Sequence, residues 1–219
     1  VTGLQIAHRY EPASQTAEVG GDWFDVIPLK DGQVALVVGD VTGHSIHAAA
    51  LMGQLRTTTA ALARLGHPPE EIMAQLSGVV AEHGDETGAT CLYAQYDPAS
   101  RRCRLTSAGH LPPALRHPGG TTEFLDAPGG VMLGVGPSRY PATDTDLPPG
   151  SVLALYTDGL IEHPGQDITT GMSRLARTLT ASPAPSLEHL CDSLLASLGA
   201  RARDDIALLL ARTTTETAR

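Results

Sequence analysis

The sequence predicts an α+β fold in which antiparallel sheets are covered by helices on their outer faces. Three observations carry this expectation. Strand-like runs are grouped between two pairs of helix-like stripes instead of alternating with helices, which disfavours a doubly wound parallel sheet. Glycine and proline punctuate the chain in pairs, as at Gly20 and Gly21, Pro68 and Pro69, Pro112 and Pro113, and Pro148 and Pro149, marking turns between many short elements. Three short runs, Val34 to Val38, Val152 to Tyr156 and Ile206 to Leu210, are apolar throughout, as strands buried on both faces must be.

Taken in order, the strand Val34 to Val38 is followed by a helix expected from about His44 to Leu65, where Leu51, Leu55, Thr58, Leu62 and Leu65 recur at helical spacing. A second helix begins near Pro69, a residue suited to a first helical turn, and carries Ile72, Leu76, Val79 and Val80. Cys91 to Tyr96 and Arg102 to Ser107 read as a hairpin closed through Asp97, Pro98, Ala99 and Ser100. The strand Val152 to Tyr156 precedes two further helices. One carries Met172, Leu175 and Leu179; the other, after Pro183 and Pro185, carries Leu187, Leu190, Leu194 and Leu198. The strand Ile206 to Leu210 closes the series.

A chain of 219 residues is long enough to bury a sizeable core, and residues 1–219 are expected to form one domain. Its formal net charge of −9, with Lys30 the only lysine, argues against nucleic acid or an anionic membrane surface as partner. Cys91, Cys103 and Cys191 are odd in number and lie among apolar neighbours, which suggests neither a disulfide framework nor a thiolate zinc site and fits a reducing cytoplasm. No apolar run reaches the roughly 18 residues of a membrane span, and no leader is recognisable. The chain opens on Val1 and not Met, which suggests a domain excised from a longer multidomain signalling protein.

Aspartates stand at the ends of the apolar runs. Asp22 and Asp25 lie in a Gly-Gly-Asp-Trp-Phe-Asp stretch, Asp40 follows Val34 to Val38 through Gly39, Asp158 follows Val152 to Tyr156 through Thr157, and Asp204 and Asp205 immediately precede Ile206. A carboxylate at the edge of a buried strand is costly unless it is hydrogen-bonded or paired with a cation. Several at one sheet edge would suit hard cations such as Mg²⁺ or Mn²⁺, which prefer oxygen ligands. Each taken singly is more often a turn former or helix N-cap, and periodicity does not show that they converge.

Six segments carry a family resemblance: Val19 to Val26, Val38 to His44 with Ala48 to Leu51, Ser107 to Pro113, Leu133 to Val135, Tyr156 to Glu162, and Asp204 to Leu208. In order and spacing they resemble the bacterial sporulation stage II protein E and sigma-regulator (SpoIIE/RsbU) branch of the metal-dependent protein serine/threonine phosphatases (PPM), over about residues 4–212. The resemblance implies a four-layer α-β-β-α sandwich of two mainly antiparallel sheets flanked by helices. It also implies two divalent cations, Mn²⁺ or Mg²⁺, that activate a water to hydrolyse phosphoserine or phosphothreonine. The implied substrate is a phosphorylated regulatory protein, typically an anti-anti-sigma-type (STAS) domain, with homodimerisation left open. Carried over by motif, Asp40 corresponds to the carboxylate shared by both cations and Val41 offers its carbonyl. Asp158 and Asp204 correspond to further direct ligands, and Asp22 to an acidic position that binds metal directly or through water. Asp205 is the lesser candidate of its pair, and Asp25 is expected in a supporting role.

Two histidines and an arginine need placing. His44, close after Asp40, could protonate a leaving alkoxide, although it does not occupy the position of the general-acid histidine in animal relatives. His110 is expected to hold a turn or core hydrogen bond, and Arg9 to be a solvated surface residue. The family usually has glycine after its basic residue, whereas this chain has Ser45 there, which either reshapes the helix entrance or caps the helix. The alternatives in function are a catalytically silent binding module and a metal-dependent hydrolase of a small phosphorylated metabolite.

Overall fold

A computed structural model describes residues 3–12, 20–43, 45–84, 87–127, 129–136, 139–181, 186–199 and 204–215. Eleven strands and four helices are named among them. In chain order these are β1 (Leu4–Glu11), β2 (Trp23–Pro28), β3 (Val34–Val41), α1 (Ile46–Leu65), α2 (Pro69–Ala81), β4 (Ala89–Asp97), β5 (Arg102–Ala108), β6 (Ala114–Arg116), β7 (Thr122–Phe124), β8 (Gly129–Gly130), β9 (Ala142–Asp146), β10 (Val152–Tyr156), α3 (Ile168–Ala181), α4 (Leu187–Leu198) and β11 (Ile206–Thr213). One sheet runs β1-β11-β10-β6-β7; the other runs β2-β3-β4-β5-β8, with β9 also paired to β5. Pairing is antiparallel except between β5 and β8.

The apolar runs are explained by layering. Successive strand side chains point to opposite faces, so Val34, Leu36 and Val38 enter the core between the sheets, while Ala35, Val37 and Val41 pack with α1 and α2. In β11, Ala207, Leu209 and Ala211 face the other sheet and Ile206, Leu208 and Leu210 face α3 and α4. Three apolar layers therefore separate four structural ones, giving the α-β-β-α order. Among the described residues no helix is long and apolar enough to cross a membrane.

The first helix differs from the sequence reading in its face and its start. Its buried residues are Ala48, Leu51, Leu55, Thr59 and Ala63, and Leu65 is 71% exposed. Small side chains let the helix lie close to the sheet, and a count of large apolar residues passes over them. It begins at Ile46, with Ser45 as N-cap accepting a 3.2 Å hydrogen bond from the Ala48 amide. Of the two alternatives for Ser45, the structure thus has the cap, a role for which serine is among the preferred residues.

Candidate functional site

Strand pairing brings the aspartates to one end of the sandwich. Trp23 pairs with Gly39, so Asp22 just before β2 lies beside Asp40 near the end of β3. In the other sheet Tyr156 pairs with Leu208 and the Thr157 amide donates to the Ala207 carbonyl at 3.0 Å. The exit of β10 into Asp158 and the entry of β11 from Asp204 are therefore adjacent.

Two places admit no side chain. The Gly21 carbonyl accepts a 3.2 Å hydrogen bond from the Val41 amide, and a Cβ on Gly21 would land on the Val41 carbonyl oxygen, with Asp40 Oδ1 at 3.1 Å. A Cβ on Gly159 would strike the Asp205 carbonyl oxygen. These approaches bring the Asp22 segment against β3 and the Asp158 turn against the start of β11.

The electrostatics record the crowding. Asp22 is 3% exposed, and its carboxyl is pushed well above the ordinary range, first by burial and then by the charge of Asp40. A hydrogen bond from Thr157 opposes the shift, while a side-chain hydrogen bond with Asp40 and the charge of Asp158 add to it. Asp158 is raised from 3.8 to about 6 by burial, then by Asp40, Asp204 and Glu162, against the Gly159 amide. Asp22 Oδ2 and Asp158 Oδ1 are buried without a hydrogen-bond partner. Buried acceptors that lack a donor, in an oxygen-only set of like charges, fit a hard divalent cation. Among the described residues, no group of three or more His, Cys, Asp or Glu side chains is already gathered as a ligand set.

The remaining candidates separate by geometry. The Asp205 amide donates to Asp204 Oδ1 at 2.8 Å, whereas Asp205 Oδ2 accepts from the Tyr10 hydroxyl at 3.3 Å and lies against Gly20. Asp25 forms a two-point ion pair with Arg56 of α1, at 3.1 and 3.0 Å. Arg9 is not simply solvated: it binds Glu188 at 2.6 Å and Asp192 at 2.7 Å, tying β1 to α4. His110 bridges the sheets, with Nδ1 2.7 Å from Thr90 Oγ1 and Nε2 3.0 Å from the Tyr156 carbonyl. Since that carbonyl only accepts, Nε2 carries the proton and Nδ1 accepts from Thr90. Burial lowers the His110 pKa to about 4, against the pull of the Tyr156 carbonyl, and both ring nitrogens are engaged in joining the two sheets. His44 lies outside the described residues.

A groove of about 860 Å³ adjoins the cluster. Leu4, Ile6, Phe24, Val26 and Met52 give it apolar walls, and Tyr10, Gly20 and Asp22 also line it. Sequence reasoning did not single out Tyr10 or Thr157. Their partners are remote in the chain, and a tyrosine or threonine at a strand end carries no signal of its own.

Residues 30–214 match the Stage II sporulation protein E (SpoIIE) family. Phosphoserine phosphatase RsbU of Bacillus subtilis (strain 168) is 26% identical over 215 residues, covering 95% of this chain and 63% of RsbU. The solved structure of the RsbU and RsbW domains of Rv1364c from Mycobacterium tuberculosis has a TM-score of 0.90 and 32% identity, covering 100% of this chain and 62% of that one. RsbX, solved in complex with magnesium, has a TM-score of 0.73 at 19% identity over 96% of both chains, a likeness of fold. The chain thus spans less than two thirds of RsbU and of the mycobacterial protein.

Proposed function

This chain belongs to the SpoIIE family, and from that premise we propose that it is a metal-dependent phosphatase domain acting on phosphoserine or phosphothreonine of a regulatory partner protein. The observation that carries the reading is the set of aspartates at one end of the sandwich, in which Asp22 Oδ2 and Asp158 Oδ1 are buried without a hydrogen-bond partner. Asp22, Asp40, Asp158, Asp204 and the Val41 carbonyl would hold the cations, Mn²⁺ or Mg²⁺. When bound, such ions supply a water of lowered pKa and neutralise phosphoryl charge, so the chemistry needs no nucleophilic side chain. The chain's own part is to hold the carboxylates together against their mutual repulsion, and a bound cation would favour their ionised form. His44 remains the candidate donor of a proton to the leaving seryl oxygen. An anti-anti-sigma-type domain is the proposed partner class, and the domain is read as one unit of a longer cytoplasmic signalling protein.

The groove favours a protein substrate over a metabolite. Its lining follows β1 from Leu4 to Tyr10, six residue steps or roughly 20 Å at about 3.3 Å each. A protein segment can fill that length, and contacts remote from phosphorus help orient the reacting group. The test compares p-nitrophenyl phosphate, a panel of phosphorylated metabolites and a phosphoserine-bearing anti-anti-sigma protein at equal Mn²⁺. The phosphoprotein is expected to show much the highest kcat/KM and the aryl phosphate slow turnover. A metabolite that outperforms every phosphoprotein would favour the small-molecule hydrolase, and no phosphate release from any substrate would favour the silent binding module.

Cation binding should also appear in stability. Asp158 has its folded-state pKa raised from 3.8 to about 6, so its contribution to stability is full below pH 3.8 and is lost as pH rises through about 6. The loss is on the order of 2 to 3 kcal/mol, and Asp22, shifted in the same direction, extends it to higher pH. A cation favours the ionised form and binds the folded state. The rise in melting temperature on adding Mn²⁺ is therefore expected to be larger at pH 8 than at pH 5; equal rises at the two values, or none, would contradict it.

A further inference from the structure

The geometry points to a strand-docking site: the open edge of β2 takes an extended segment of the partner protein, antiparallel to β2, that leads up to the phosphorylated serine or threonine. The inference rests on the reading of the domain as a protein phosphatase.

Trp23, Phe24, Asp25 and Val26, four consecutive residues of β2, all line the groove beside the carboxylates. Consecutive strand side chains point to opposite faces, and here they do. Phe24 and Val26 pack between the sheets, whereas Trp23 packs in the layer that holds α1, and Asp25 pairs with Arg56 of α1. A groove that reaches both faces of one strand runs along its edge, where the backbone lies. That edge is open: β2 ends its sheet, and among the described residues it pairs with β3 alone. An open edge presents a row of backbone N–H and C=O groups that an added strand can pair.

The chemistry of the groove selects its occupant. Trp23 is 2% exposed, and its indole N–H has no acceptor. Buried donors are rarely left so. An extended segment brings carbonyls that are free to accept, whereas a helix spends its own internally. The two sides of the groove also differ. Toward β1 the walls are apolar, made by Leu4, Ile6, Phe24 and Val26, whereas α1 contributes Met52 and the charged Arg56. A strand matches this with apolar residues at every second position and no such demand between them. One end of the groove reaches Asp22, the residue before β2. Since β2 runs away from Asp22, an antiparallel segment arrives at the carboxylates with its C-terminal end. Antiparallel pairing is the more stable per residue, and β3 already pairs with β2 in this way. Recognition therefore falls on the residues that precede the phosphorylated one.

Trp23 is the only tryptophan of the chain, so its fluorescence reports on this groove without metal or catalysis. The experiment titrates the metal-free domain with serine peptides in which about six residues, roughly the length of the groove, precede the serine. These residues either alternate valine with threonine or are all polar. Phosphate release from the phosphoserine forms is then measured at fixed Mn²⁺. The alternating peptide is expected to bind roughly 10- to 100-fold more tightly, the effect of burying a few apolar side chains, with the same ranking in kcat/KM. N-methylation separates a strand from a helix: methylating the alternate residues whose N–H groups face β2 should remove the gain, and methylating those between should preserve it.

Equal binding of the polar peptide, or an equal gain when the same residues follow the serine, would overturn the proposal. So would N-methylation that acts alike at both sets of positions, as a helix in the groove predicts. Trp23 fluorescence that changes with protein concentration alone would assign the groove to a second copy of this chain, and would overturn it too. If the peptides bind with the expected pattern but neither they nor p-nitrophenyl phosphate release phosphate with Mn²⁺, the phosphatase reading falls and the strand site stands.

Discussion

Asp40→Asn is expected to bring phosphate release down to background while the domain stays folded. Asparagine preserves the size of the side chain and removes the charge that raises both Asp22 and Asp158. With that repulsion gone the metal-free domain should melt no lower than wild type. The loss in rate should exceed the roughly 10- to 100-fold typical of an outer-shell change, because under the proposed assignment a direct ligand is altered. Asp25→Asn supplies the contrast. Asp25 pairs with Arg56, whose side chain is 44% exposed, and a surface pair of this kind is worth roughly 0 to 1 kcal/mol. Its removal should change the rate only a few-fold. Phosphate-release assays at saturating Mn²⁺ settle the matter, and equal activity of the two variants would show that the roles are wrongly assigned.

Gly21→Ala should destabilise the domain and silence it together. The added Cβ meets the Val41 carbonyl, which belongs to a paired strand and cannot move without disturbing β3 and β4. Overpacking of this kind costs roughly 1 to 3 kcal/mol and occasionally more. At about 2 to 4 °C per kcal/mol for a domain of this size, melting should fall by roughly 2 to 12 °C. Activity should fall further than stability explains, because the same overlap displaces Asp22 from Asp40. Gly53→Ala is the opposite case: Gly53 lies within α1, no atom stands near the position of the new Cβ, and the gain should be roughly 1 kcal/mol. Thermal melting of both variants tests the pair, and a Gly21→Ala protein that melted with wild type would refute the close-packing argument.

What could be read from the chain, and what could not, follows from the range of the interactions. The runs of β3, β10 and β11 were legible because a strand covered on both faces has no polar positions, so local composition reports a global fact. β1 was not: Leu4, Gln5, Ile6, Ala7, His8 and Arg9 mix polar and apolar residues because it is an edge strand, partly open to solvent. The face of α1 was misplaced because Ala48, Thr59 and Ala63 pack closely against a sheet that is invisible locally. The aspartates were found by motif, but their convergence depends on strand order. Asp22 and Asp40 are neighbours by the β2/β3 pairing, Asp158 and Asp204 by the β10/β11 pairing. The Arg9 pairs with Glu188 and Asp192 join distant parts of the chain, and no periodicity signals them.

The place of β11 in its sheet also sets a timetable for the fold. In the other sheet β2, β3, β4 and β5 pair in the order in which they are synthesised, so their contacts can form while the chain is still growing. β1 has to wait, because its partner from Leu4↔Thr213 to Glu11↔Ile206 is the last strand named. Contacts between such distant segments form slowly, and the edges they leave unsatisfied meanwhile are open to wrong partners. Asp204 arrives with that same strand. A nascent chain could thus complete one sheet and still have only part of its carboxylate cluster, so the cluster is whole only once β11 has been made and paired.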